Sequence, residues 1–169
     1  MPPVPQRQKI VNEYKLRLAA ISTETPPLED GFTYQTNLGA QPIDEWPTVY
    51  QESELGEGRL GICDLTMSKP QEHRDEKLVT AEMPMQVRIF HKQSATPAEL
   101  RVMIGDVERA LITDPETGKP DPQLGNLLVD MHSDEAGFIV PKDSFQIDGA
   151  AIGWKVYFLT APFDAYVPT

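Results

Sequence analysis

The chain has 169 residues, 40% of them hydrophobic, with 16 prolines, one cysteine and a formal net charge of −11. That length fits a single domain over residues 1–169 with enough buried surface for one core. The acidity, with a sequence pI of about 4.6, argues against binding nucleic acid or anionic membranes through the general surface, because both need Lys and Arg to displace counterions.

Met1-Pro2-Pro3-Val4-Pro5 has no apolar signal-peptide core. No run nears the roughly 20 apolar residues of a membrane helix, so a chain assembled in the cytosol is expected. Residues 6–22 have helical period: Ile10, Tyr14, Leu18 and Ile21 form one stripe widened by Val11, while Arg7, Lys9, Glu13, Lys15 and Arg17 point elsewhere. A proline-rich connection, residues 23–31, leads into an extended piece over 32–38. Strands are expected over 60–65 and 78–91, with Pro84 making the first half of the second an edge or a bulge.

Thr96-Pro97-Ala98-Glu99 combines an N-cap hydroxyl, proline at the first helical position and glutamate at N3, a capping box. Leu100, Ile104, Val107 and Leu111 continue its helix to about residue 112, where Asp114-Pro115 stops it. Further strands are expected over 127–132, 137–141 and 151–160. In the last, Trp154, Val156 and Phe158 alternate with Lys155, Tyr157 and Leu159, so both faces are largely apolar and the strand should be interior. Helices and strands in this order predict an α+β domain, and the prolines predict long loops and extended arms.

Groups that could carry chemistry fail on spacing. His73, His91 and His132 lie in separate segments with no second ligand at helical or strand spacing. Cys63 sits in an apolar strand, without the base or helix N-terminus that activates a thiol. Asp75-Glu76 and Asp134-Glu135 are acidic pairs in expected loops, and with 26 Asp and Glu such pairs arise by chance. Asp64 and Asp130 could join Asp134 and Glu135 in a magnesium cluster, but no known ligand spacing is present. Phosphate-binding glycine loops, Gly-x-Ser-x-Gly and His-Glu-x-x-His are all missing from the sequence. No catalytic residue, metal ligand or cofactor site is therefore expected, and function should lie in surfaces offered to partners. A small enzyme using loop carboxylates with a metal, and a monomeric ligand-binding module, are the competing classes.

An order of motifs remains. It runs from the first helix through Tyr34-Gln35-Thr36-Asn37-Leu38-Gly39, then Trp46-Pro47, a strand, a helix bearing Asp106-Val107-x-x-Ala110-Leu111, and a closing strand with Tyr157-Phe158-Leu159-Thr160. This order resembles the tail terminator (tail completion) proteins of long-tailed bacteriophages. The resemblance implies a mixed, mainly antiparallel sheet packed against the two amphipathic helices. It also implies a homo-hexameric ring in the virion, placed between the tail tube protein and the head connector, and beside the sheath terminus if the tail contracts. DNA would pass through the lumen without specific binding, and no membrane would be involved. The related alternative is another neck or head-completion protein. Trp46, Pro47, Tyr50 and Leu55, on a proline-bearing connection, are the candidate subunit or partner contacts.

Overall fold

The computed structural model describes residues 4–45, 50–64, 79–91, 95–139 and 149–160. Two α-helices, α1 (Gln6–Ala19) and α2 (Pro97–Leu111), accompany five strands: β1 (Asp44–Glu45), β2 (Arg59–Asp64), β3 (Val79–Phe90), β4 (Asp130–Ile139) and β5 (Gly149–Thr160). The strands form one sheet in the order β1-β2-β3-β5-β4. β1 runs parallel to β2 and every other pairing is antiparallel. The fold is thus α+β with a mixed, mainly antiparallel sheet.

β3 and β5 pair along their whole lengths, from Val79 opposite Thr160 to Phe90 opposite Gly149. Side chains alternate across a strand. Met83, Met85, Val87 and Ile89 therefore share a face with Val156, Trp154, Ile152 and Ala150, and all eight are buried. The helices close this face with Ile10, Tyr14 and Leu18 from α1 and Leu100, Met103, Val107 and Leu111 from α2. Each such large apolar side chain contributes roughly 1.5–3 kcal/mol by leaving water. The Tyr14 ring meets Trp154 edge-on at 6.5 Å, and its hydroxyl donates to the Met131 sulfur at 3.4 Å. Burial pushes the Tyr14 hydroxyl well above the usual phenol range.

β5 is interior, between β3 and β4. In β3, residues 85–90 pair with β2, whereas 79–84 pair only with β5 among the described residues. Pro84 thus lies, among the described residues, in the part of β3 paired on one side only, where a missing N–H is tolerated. Residues 127–132 and 137–139 do not belong to two strands, and residues 140 and 141 of the second expected strand lie outside the described residues. Residues 130–139 form the single edge strand β4, irregular between Ser133 and Ala136, and 127–129 precede it. The polar Ser133-Asp134-Glu135 run that suggested a break lies at this irregularity, on an edge where strand residues need not be apolar.

α2 begins as the capping box requires: the Thr96 hydroxyl accepts from Glu99 N, and Thr96 N donates to the Glu99 carboxylate at 2.6 Å. α1 starts after Pro5 with no side-chain cap, so packing must hold it. It stops at Ala19, three residues before the periodicity does, because the Ile21 carbonyl accepts from Gly39 N at 2.9 Å. A β-carbon on Gly39 would lie 2.5 Å from the Ala19 carbonyl oxygen.

Arg17 departs most from the sequence pattern. It does not point away from the core but is 1% exposed. Its Nε donates to Glu13 at 2.9 Å and one terminal nitrogen donates to the Leu111 and Asp121 carbonyls at 3.0 and 2.6 Å. The other terminal nitrogen meets the Asp121 carboxylate at 2.6 Å. The proline-rich stretch over 114–122 is an ordered turn, closed by Asp114 N to Lys119 O and Asp121 N to Ile112 O, and Arg17 ties it to both helices.

Two substitutions test these contacts by urea unfolding. Gly39→Ala should cost about 1–3 kcal/mol, since neither carbonyl it meets can move freely. Arg17→Ala should cost about 3–5 kcal/mol, because it takes the cation from the Glu13 and Asp121 carboxylates and leaves the Leu111 carbonyl without its donor. Stabilities unchanged from the parent chain would contradict either account.

Candidate interaction surfaces

Of the four residues expected to meet partners, Trp46 and Pro47 lie outside the described residues. Leu55 is fully buried, at 0% exposure, so it fills the chain's own interior and offers no surface to another molecule. Tyr50 lies on the sheet face opposite the helices and is half-buried there. Its ring meets Phe90 edge-on at 4.9 Å, with the Arg59 guanidinium 4.6 Å from its centre. Its hydroxyl donates to Asp44 at 2.7 Å, and Arg59 pairs with the same carboxylate oxygen at 2.8 Å. Burial first, then the Asp44 carboxylate, pushes the Tyr50 hydroxyl well above the phenol range. The register explains this cluster: Asp44 stands opposite Gly61 and Arg59 opposite Phe90, on one face. Tyr50 is bound into this chain before any partner is considered.

The same face continues through Glu82, Gln86, Arg88, Lys155 and Tyr157, all half-buried, to the exposed Asp130 and His132 of β4. His132 Nε2 is 2.9 Å from the Asp130 carboxylate, and the His132 ring meets Tyr157 at 5.6 Å. Cys63, opposite Gln86 in β2, is 4% exposed. Asp134 lies in β4 instead of a loop and stands 3.9 Å from Lys155. His73 and the Asp75-Glu76 pair lie outside the described residues. Among the described residues no group of three or more His, Cys, Asp and Glu could hold a metal ion, and no helix is long and apolar enough to cross a membrane.

On the helix side, residues 32–40 run as a strap that joins the two helices. Tyr34 and Leu38 enter the core at 5% and 1% exposure. Between them the Asp106 carboxylate of α2, 2% exposed, accepts from Gln35 N at 2.9 Å and the Thr36 hydroxyl at 2.8 Å. Asn37 receives Thr23 N at 2.9 Å and donates to Glu57 at 3.1 Å, and Gly39 closes on the end of α1. Sequence reasoning missed Asp106 as an anchor. The available signal was a carboxylate at 106 followed by core positions Val107, Ala110 and Leu111 on the same helix.

Two concavities flank this strap. A groove of about 610 Å³ lies between α1 and residues 39–43, lined by Asn12, Lys15, Leu16, Ala19, Pro42 and Ile43 among others. A smaller pocket of about 390 Å³ lies beside α2, lined by Gln35, Thr36, Glu57, His91, Glu99 and Val102 among others. No protein-family model and no curated protein matches the chain.

Burial holds the Asp106 carboxyl above its ordinary range despite the donors at residues 35 and 36. An acid raised in the folded state adds stability below its unfolded pKa and loses it as pH rises through the folded value. Relative to an Asp106→Asn variant, the parent chain should therefore be more stable at pH 4 than at pH 7. Urea unfolding of both proteins at the two pH values checks this, and a difference that is flat or of opposite sign would refute it.

Proposed function

We propose that this chain is a tail terminator of a long-tailed bacteriophage: a hexameric ring at the head-proximal end of the tail tube that ends polymerisation and joins the head connector. One observation carries the reading. The two motif segments that give the resemblance, 34–39 and 106–111, are far apart in sequence yet close on each other through Asp106, Gln35 and Thr36. They form one unit in this fold, the brace that fixes both helices over the sheet, which supports reading them together. The α+β architecture, with its mixed sheet covered by helices on one face, is also the one the resemblance implies.

The proposed role is mechanical. Ending a polymer requires one surface that fits the last tube subunits and another that does not propagate the tube lattice. A heterologous contact repeated about an axis closes the ring. Lumenal carboxylates from a chain of net charge −11 would repel the phosphates of passing DNA and leave no adhesive site.

Electron microscopy of particles made without the chain tests the proposal. Tails of irregular length, detached from heads, are expected, and the purified chain added to tube ends should form a six-fold ring there. Tails of uniform length joined to heads would end the terminator reading. Uniform tails that fail only at the head would favour a head-completion role.

A further inference from the structure

The strap over residues 32–40 joins the two helices but takes no part in the sheet. Among the described residues, backbone bonds tie it to residues outside it only at its ends. There the Phe32 carbonyl accepts from Leu28 N at 2.8 Å, and Gly39 N donates to the Ile21 carbonyl at 2.9 Å. Two side chains hold its middle. Asn37 accepts from Thr23 N and the Thr23 hydroxyl, both at 2.9 Å, and Asp106 accepts from Gln35 N and the Thr36 hydroxyl. Of these two acceptors only Asp106 can titrate.

Both bonds to Asp106 come from neutral donors and both end on Oδ2, so a proton on Oδ1 displaces neither. The Thr36 N–H also bears on the carboxylate, yet burial outweighs all these donors and holds the carboxyl above its ordinary range. The charged groups on the surrounding elements are engaged elsewhere. On α2, Arg109 turns to Asp30 and to the Phe32 ring at 5.4 Å. On α1, Arg17 is committed to Glu13 and Asp121. Tyr34, on the strap itself, has its hydroxyl raised by burial first and then by the Asp106 charge. His91, Glu57 and Glu99 share a pocket with Gln35 and Thr36.

We infer that the strap is a pH-governed latch, held most firmly while Asp106 carries a proton and loosened as the carboxylate ionises. An ion without a cation in a dry site gains when water reaches it, and opening the strap admits that water. Linkage sets the sign. An acid that is harder to ionise in the closed form favours closure fully below its open-state value of about 3.9, and loses that preference as pH rises through the closed-state value. Between the two values the ratio of open to closed should rise roughly tenfold per pH unit, then level off. Gln35 and Thr36 line the pocket beside α2, while Gly39 and Ala40 line the groove beside α1. Loosening the strap therefore reshapes both concavities together.

Amide hydrogen exchange of the full chain, resolved by residue with NMR between pH 4 and 7 and corrected for intrinsic rates, tests the latch. The Gln35 and Gly39 amides should lose protection together as pH rises. Their protection should also lie at least about tenfold below that of Val87, which is paired on both sides in β3. Asp106→Asn keeps an acceptor oxygen and leaves Tyr34, Arg109, His91, Glu57 and Glu99 in place. In that variant the Gln35 protection should stay flat across the range. If Asp106→Asn does not fold, Thr36→Val replaces it: with one donor to the carboxylate removed, the loss of protection should extend to higher pH than in the parent chain. Flat protection at Gln35 in the parent chain, or a slope that persists in Asp106→Asn, would overturn the latch. So would an unshifted range in Thr36→Val. Protection at Gln35 equal to that at Val87 would also overturn it, because the strap would then open only with the whole fold.

Discussion

The buried guanidinium of Arg17 is the contact on which the helix layer depends. A cation withdrawn from water is costly unless it is paired and hydrogen-bonded. Arg17 is bonded at all three nitrogens, to Glu13, two carbonyls and the Asp121 carboxylate. Those partners come from α1, from the last residue of α2 and from the turn that follows it, so satisfying the charge fixes the positions of all three. The Leu111 carbonyl is a C-terminal helix acceptor with no partner inside its own helix, and a cation there also complements the helix dipole. The interaction therefore specifies geometry more than it adds net stability.

The strap over residues 32–40 supplies a second brace of opposite sign, centred on the Asp106 carboxylate. Together a buried cation, held by two carboxylates and two carbonyls, and a buried anion, held by one backbone N–H and one hydroxyl, lock α1 and α2 to each other and to the strap. Both lie beside the apolar core, which is large enough to bear them: Ile10, Tyr14, Leu18, Val107 and Leu111 are all at 0% exposure.

What the sequence discloses follows the range of the forces involved. The start of α2 is readable because a capping box is complete within four residues. The β3 and β5 strands are readable because their alternation or apolarity reflects burial on a long sheet. The end of α1 is not, since it is imposed by Gly39 from twenty residues away. Arg17 reads as a solvent-facing helix residue because nothing local marks the carbonyls that receive it. β4 reads as two pieces because an edge strand loses the apolar pattern where it bulges, and the two-residue β1 is too short to leave any pattern. Of the candidate contacts, Leu55 is buried in this chain, since apolarity in a connection fits an anchor for a partner and an internal filler equally well.

β5 enters the sheet between β3 and β4, although both are made before it. Sheet closure must therefore bring residues 149–160 back to residues 79–90, across a segment that holds α2 and β4. Such distant pairing slows folding relative to the formation of the helices. During synthesis, which runs from the N-terminus, α1 and α2 leave the ribosome before the strand that supports them both. A nascent chain thus lacks the support for its finished helix layer until residue 160 has been added.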